Sequence, residues 1–193
     1  IWFSGINGVL PLSGAFGGIF GAGLLFLVRQ LLHLFFFKTI SLKFLSFCVP
    51  GFCASLYWST HHFSVRLLLP FACMMLFVLH PVGGQAFYYS FYWLIPVVLY
   101  FIPRKSVFLT ALGSTFIAHA VGSVIWCYTV PMTAAMWTAL MPIVALERVL
   151  FALGMVGAYH TLSFIFEEID YASKKSVLSM NIINCSKIKS IKN

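Results

Sequence analysis

Glu147 is the only acidic residue before Glu167. It sits in the middle of an apolar, helix-length stretch, Met141–Gly154 (MPIVALERVLFALG), directly beside Arg148. A chain with so few charges over such a length cannot cover a water-facing surface. Of its 193 residues, 61% are hydrophobic and only 8% charged, where a soluble domain carries roughly 25% charged residues. The apolar runs are long and nearly unbroken, not short and alternating as in an outer-membrane barrel. The fold class is therefore all-α integral membrane, a bundle of about six transmembrane helices. A charge at mid-helix in lipid costs about 2.5–3.5 kcal/mol on insertion scales, and it normally faces a bundle interior or an aqueous cavity. Glu147 and Arg148 thus form either an inter-helix ion pair or part of a site. Neighbouring residues point about 100° apart on a helix, so the two are expected to neutralise each other poorly. Each then needs another partner.

The segments follow in order. The first runs from about Val9 to Phe26, with Gly14, Gly18 and Ala22 at intervals of four. Small residues at that spacing let a second helix approach closely, which makes this a candidate partner-docking face; a glycine-rich segment with no partner is the alternative. The second segment, about Ile40 to Trp58, carries Pro50-Gly51 near its middle, and the third runs from Val65 to Leu79, with Arg66 at its start. The fourth, Ala86–Ile102, opens on AFYYSFYW. Tyr88 and Tyr92, and likewise Tyr89 and Trp93, fall at helical spacing. Their rings suit either an interfacial belt or the wall of an apolar pocket that orients a ligand through a few hydrogen bonds. The fifth, Val107–Thr129, repeats the small-residue ridge at Ser114, Ala118 and Gly122 and holds His119 at mid-depth. His119 is placed to pair with Glu147, contact a ligand or carry a proton. The sixth, from about Ala134 to Tyr159, contains Pro142, Glu147 and Arg148.

Residues 1–166 read as the transmembrane bundle. Residues 167–193 read as a polar, basic, cytoplasmic tail without a packed structure of its own. Arg104-Lys105 and the tail lysines point to the cytoplasmic side, and the uncharged loops after the third and fifth segments to the outside. Arg29, Lys38 and Lys43 conflict with the parity this gives the first connection. The net charge of +8 follows from these flanking cations and is no sign of nucleic-acid binding, since no stretch interleaves basic and aromatic residues as such a surface would. The five scattered cysteines and the adjacent His61-His62 lack metal-ligand spacing, so no metal or other cofactor is expected. Gly113-Ser114-Thr115 is not the GxSG of an intramembrane serine protease, no HExxH, DxxD or phosphate loop occurs, and the chain is not expected to be an enzyme. Any ATP-driven role needs separate ATPase subunits.

Three stretches carry a family resemblance. They are Ile40–Pro50, HPVGGQAFYYS (His80–Ser90) and Met141–Gly154, in which a proline is followed by an acid and a base. In these, and in the ridge Gly14, Gly18, Ala22, the chain resembles the substrate-binding S component of energy-coupling-factor (ECF) vitamin transporters, nearest the biotin-uptake branch. The family's last-helix pair is an Asp and a Lys three apart, where this chain has adjacent Glu147 and Arg148. The resemblance implies a multi-pass subunit of a cell membrane, the inner membrane if the source is bacterial. It would bind a small vitamin-like metabolite through Tyr88, Tyr92, Trp93, His119, Glu147 and Arg148. The first segment would dock a transmembrane coupling subunit driven by ATPases. A structural subunit of a membrane complex and a small proton-coupled transporter remain the alternatives from the residues themselves.

Overall fold

The computed structural model describes residues 10–38, 42–103 and 106–191, with side chains for all of these except 42, 43, 45 and 176–191. In chain order, α1 spans Leu12–Phe37 and α2 Leu42–Ser59, and a π-helical turn, Ser64–Leu68, leads into α3 (Leu69–Leu79). A short α4 (Pro81–Gln85) and a 3-10 segment (Phe87–Trp93) precede α5 (Leu94–Tyr100), and α6 (Val107–Thr129) and α7 (Ala134–Ile191) follow. The described chain is all-helical, without a strand. Three of its helices are long and apolar enough to cross a membrane: α1, α6 and the Ala134–Lys175 part of α7. The segments read as third and fourth spans are shorter apolar helices, Ser64–Leu79 and Phe87–Tyr100. Arg104, Lys105 and Lys192 lie outside the described residues, as do the side chains of Lys43, Lys187 and Lys189.

Two compact units divide the chain, Ile1–Val156 and Gly157–Asn193. In the first, α6 is the hub and packs against α2, α3 and α5, while α1 packs against α2. Half of the most apolar window of α6 is buried, against 6% of that of α1. The ends of α6 follow from the sequence. Ser106 caps its start by accepting from the Leu109 N–H at 3.2 Å, and Pro131 follows two residues after Thr129, where a helix cannot continue. Its small-residue ridge meets α2: the Ser114 hydroxyl donates to the Ala54 carbonyl at 3.0 Å, and Gly122 lies opposite Pro50.

The ridge of α1 divides. Gly14 and Ala22 are buried. A Cβ at Gly14 would run into the Ser55 carbonyl oxygen, so at that position the close approach is to α2 of the same chain. Gly18 has φ 58° and ψ −153° and marks a kink inside α1, a backbone conformation open essentially to glycine alone. It is a bend, not a third member of a straight face.

Arg66 is almost wholly buried, with 1% exposure. The π turn carries it back under the end of α2, where its Nη2 donates to the Tyr57 carbonyl at 2.8 Å and its Nε to the Thr60 carbonyl at 2.9 Å. Its guanidinium also lies over the Tyr57 ring at 4.3 Å. The last carbonyls of a helix have no intrahelical donor, and a cation there answers both their need and the helix dipole. Arg66 therefore closes α2 as well as opening the next segment.

The second unit, in its described part, is the later portion of α7. No glycine or proline occurs between Ala158 and Ile191, and the helix persists to Ile191. The tail read as unstructured from its polarity is helical in this range. Polar side chains remove burial, but Glu, Lys, Ala and Met keep good helix propensity. Asp170 and Lys174 form an ion pair one turn apart, the spacing that supports an exposed helix.

Candidate functional site

The site forms in the first unit, where the 3-10 segment, α3, α6 and the start of α7 meet. Phe77 of α3 is fully buried at its centre. The Phe77 ring stacks on Tyr89 at 5.6 Å and meets Trp93 and Trp137 edge-on at 5.3 and 5.1 Å. Tyr89 also meets Trp137 edge-on, at 4.9 Å. These ring contacts join large side chains from three elements into one aromatic shell.

The shell encloses a polar group. The Tyr89 hydroxyl and His119 Nε2 are 2.8 Å apart, and the Ser123 hydroxyl lies 3.4 Å from the same nitrogen. Ser123 follows His119 by one turn of α6, so both present the same face. These two hydroxyls, and not Glu147, are the hydrogen-bond partners of His119. The expected option of a His119–Glu147 pair is not what forms.

Tyr88 and Tyr92 point from the same segment toward α7. The Tyr88 hydroxyl lies 2.8 Å from Thr138 Oγ1, and that of Tyr92 donates to the Met141 carbonyl at 3.0 Å. Trp93, by contrast, is buried in the shell. The spacing of AFYYSFYW suggests α-helical pairs, but the segment winds as a 3-10 helix with about three residues per turn. Pro96 contributes to this, because it has no N–H to close an α-helical bond on the Tyr92 carbonyl.

Glu147 and Arg148 pair with each other. Arg148 Nη2 and Glu147 Oε2 are 3.0 Å apart, and the Arg148 guanidinium lies 4.9 Å over the Phe151 ring. This corrects the expectation that adjacency keeps them apart. The 100° offset fixes only the directions in which the two side chains leave the helix, and the long arginine stem bends back around the barrel to close it. Arg148 is the buried partner and Glu147 the partly exposed one, with side-chain exposures of 5% and 35%. The Arg148 charge also lies within electrostatic reach of His119 and Tyr89. Of the nine residues singled out in the sequence, Tyr88, Tyr92, Trp93, His119, Glu147 and Arg148 gather around one locus. Gly14, Gly18 and Ala22 lie on α1 and belong to its contact with α2 and its kink.

Tyr89, Ser123, Phe77, Trp137 and Thr138 are members of the site that were not among the expected ligand contacts. On α7 the buried face is Trp137, Val144, Arg148, Ala152 and Met155, a helical stripe. It does not stand out in the sequence because the lipid-facing positions are equally apolar, so the usual contrast between faces vanishes. One usable signal existed: counting back from Arg148 by four, seven and eleven residues gives Val144, Met141 and Trp137.

No known family model matches this sequence, and no curated protein or solved structure is significantly similar to it.

Proposed function

We propose that this chain is a multi-pass subunit of a cell membrane that binds a small, vitamin-like metabolite for uptake. It would work with a transmembrane coupling subunit and ATPases, as the resemblance to ECF S components implies. The observation that carries the reading is the polar group Tyr89–His119–Ser123, with the Arg148 charge in reach, set inside an aromatic shell of an otherwise apolar bundle. Polar and ionisable groups held at such depth are expensive, and they commonly mark a ligand or ion path. Aromatic walls with a few converging polar groups are the usual make-up of a small-molecule site.

In this reading α2 and the two shorter apolar helices also lie in the bilayer, giving about six membrane segments. The winding of the fourth helps. Seven 3-10 residues rise about 14 Å and seven α residues about 10 Å, so Phe87–Tyr100 reaches about 24 Å of a hydrocarbon core about 30 Å thick. The exposed face of α1 would meet the coupling subunit. The test is ligand binding by the purified chain in nanodiscs, screened by thermal shift against a metabolite extract. Stabilisation by at least one component is expected, and its loss in His119→Ala. No stabilisation by any fraction would remove the support for this function.

A second reading, a structural subunit of a larger membrane complex, is favoured by one specific feature: Glu147 and Arg148 satisfy each other within the chain. It expects Glu147→Gln to change recovery of the complex and to leave ligand affinity untouched.

A further inference from the structure

Trp93 and Trp137 are buried, at 0% and 2% exposure, and neither indole N–H has an acceptor among the described residues. A buried donor without an acceptor is costly, and in a native protein it calls for an explanation. The two indoles belong to one place, since both stand edge-on to Phe77 and both edge-on to Tyr89. Around them other polar groups are engaged. Tyr89 and Ser123 share His119 Nε2, Tyr92 bonds the Met141 carbonyl, and Arg148 is paired with Glu147.

At the two indoles what is unmet is of one kind: neutral donors. The formal charges of the pair cancel. An anionic ligand would bring an extra charge into an apolar shell, and an isolated buried charge is strongly disfavoured. A cationic amine would bring only more donors. A carbonyl oxygen brings two acceptor lone pairs and no charge, and a flat ring behind it suits edge and face contacts with Phe77, Tyr89 and the indoles.

We infer that the ligand of this site is a neutral, planar, carbonyl-bearing compound, whose carbonyl oxygen accepts from the indole N–H groups of Trp93 and Trp137. This rests on the reading of the chain as a ligand-binding subunit and narrows its substrate class. A ligand would enter along α7. The 3-10 segment holds that helix through the Tyr88–Thr138 and Tyr92–Met141 bonds, and opening both would be the step that admits a ring.

The test uses three matched probes on the full chain in nanodiscs: benzamide, benzoate and benzylammonium. The readout is the indole ¹⁵N–¹H resonances, with the signals of Trp93 and Trp137 assigned by Trp93→Phe and Trp137→Phe. Benzamide should shift both signals, benzoate and benzylammonium should not, and each Trp→Phe change should weaken benzamide binding about 5–10-fold, the size of one net hydrogen bond. Where a variant fails to fold, the wild-type response to the three probes decides alone. Equal or larger shifts with benzoate or benzylammonium overturn the inference, as does the absence of any benzamide response. A metabolite extract run in parallel separates the two claims. Thermal stabilisation with unmoved Trp93 and Trp137 signals overturns this inference and leaves the binding function standing, whereas no stabilisation and no shift overturns both.

Discussion

At the scale of single residues, the Glu147–Arg148 pair sets the terms. Arg148 is buried and Glu147 about a third exposed, so removing the carboxylate leaves a guanidinium without its counter-charge in apolar surroundings. Breaking a buried pair from one side typically costs about 3–5 kcal/mol. The exposure of Glu147 lowers the expectation for Glu147→Ala to about 1–3 kcal/mol, measured as stability to SDS unfolding in bicelles. Replacing both partners, as in the double variant Glu147→Leu with Arg148→Met, should stay within about 1 kcal/mol of the parent, because paired apolar substitutes remove the demand along with the supply. A single variant as stable as the parent would mean that the pair does not hold the bundle. Much of this site was legible: a lone acid, a neighbouring cation, a mid-helix histidine and a run of tyrosines are all unusual in an apolar chain. How the charges pair was not legible, because it depends on how a long side chain bends and not on where its Cβ points.

At the scale of elements, the small-residue ridges separate into positions that need their smallness and positions that do not. Gly14→Ala drives a methyl into the Ser55 carbonyl and should destabilise the contact between α1 and α2 by about 1–3 kcal/mol, the usual cost of overpacking. Gly17 meets nothing within 4 Å, and Gly17→Ala should be neutral or stabilising by up to about 1 kcal/mol. The same SDS titration reads both, and an equal response from the two would count against the α1–α2 packing. The boundaries of α6 were readable because a serine cap and a following proline bracket it. The kink at Gly18 was not, since a glycine in a four-residue ridge and a glycine at a bend look the same in sequence. Nor was the 3-10 winding, because aromatic residues at i, i+3 and i+4 satisfy either period over so short a run.

At the scale of the molecule, composition made the membrane class plain, whereas the number of crossings depends on lengths that composition does not set. Six crossings with the positive loops inside predict alternation. In a variant with all five cysteines replaced by alanine, a membrane-impermeant maleimide added to intact cells should label cysteines placed at Gln85 and Thr133. It should reach those at His62 and Ser173 only after the membrane is opened. Labelling of positions 62 and 85 from the same side would reduce the count of crossings. The 3-10 segment carries one more consequence for the whole molecule. A 3-10 helix and an α-helix differ by about 0.5 Å of rise and about 20° of turn per residue. If Phe87–Trp93 rewound as α-helix, the seven residues would shorten by about 3.5 Å and rotate one end against the other by about 140°. Spin labels at Gln85 and Tyr100 would report that shortening. Tyr88, Tyr89 and Tyr92 could not all keep their present bonds to α6 and α7 through such a turn. The segment is in effect a screw thread between two helices, and a single change of pitch would release α7 and uncover His119 in the same stroke.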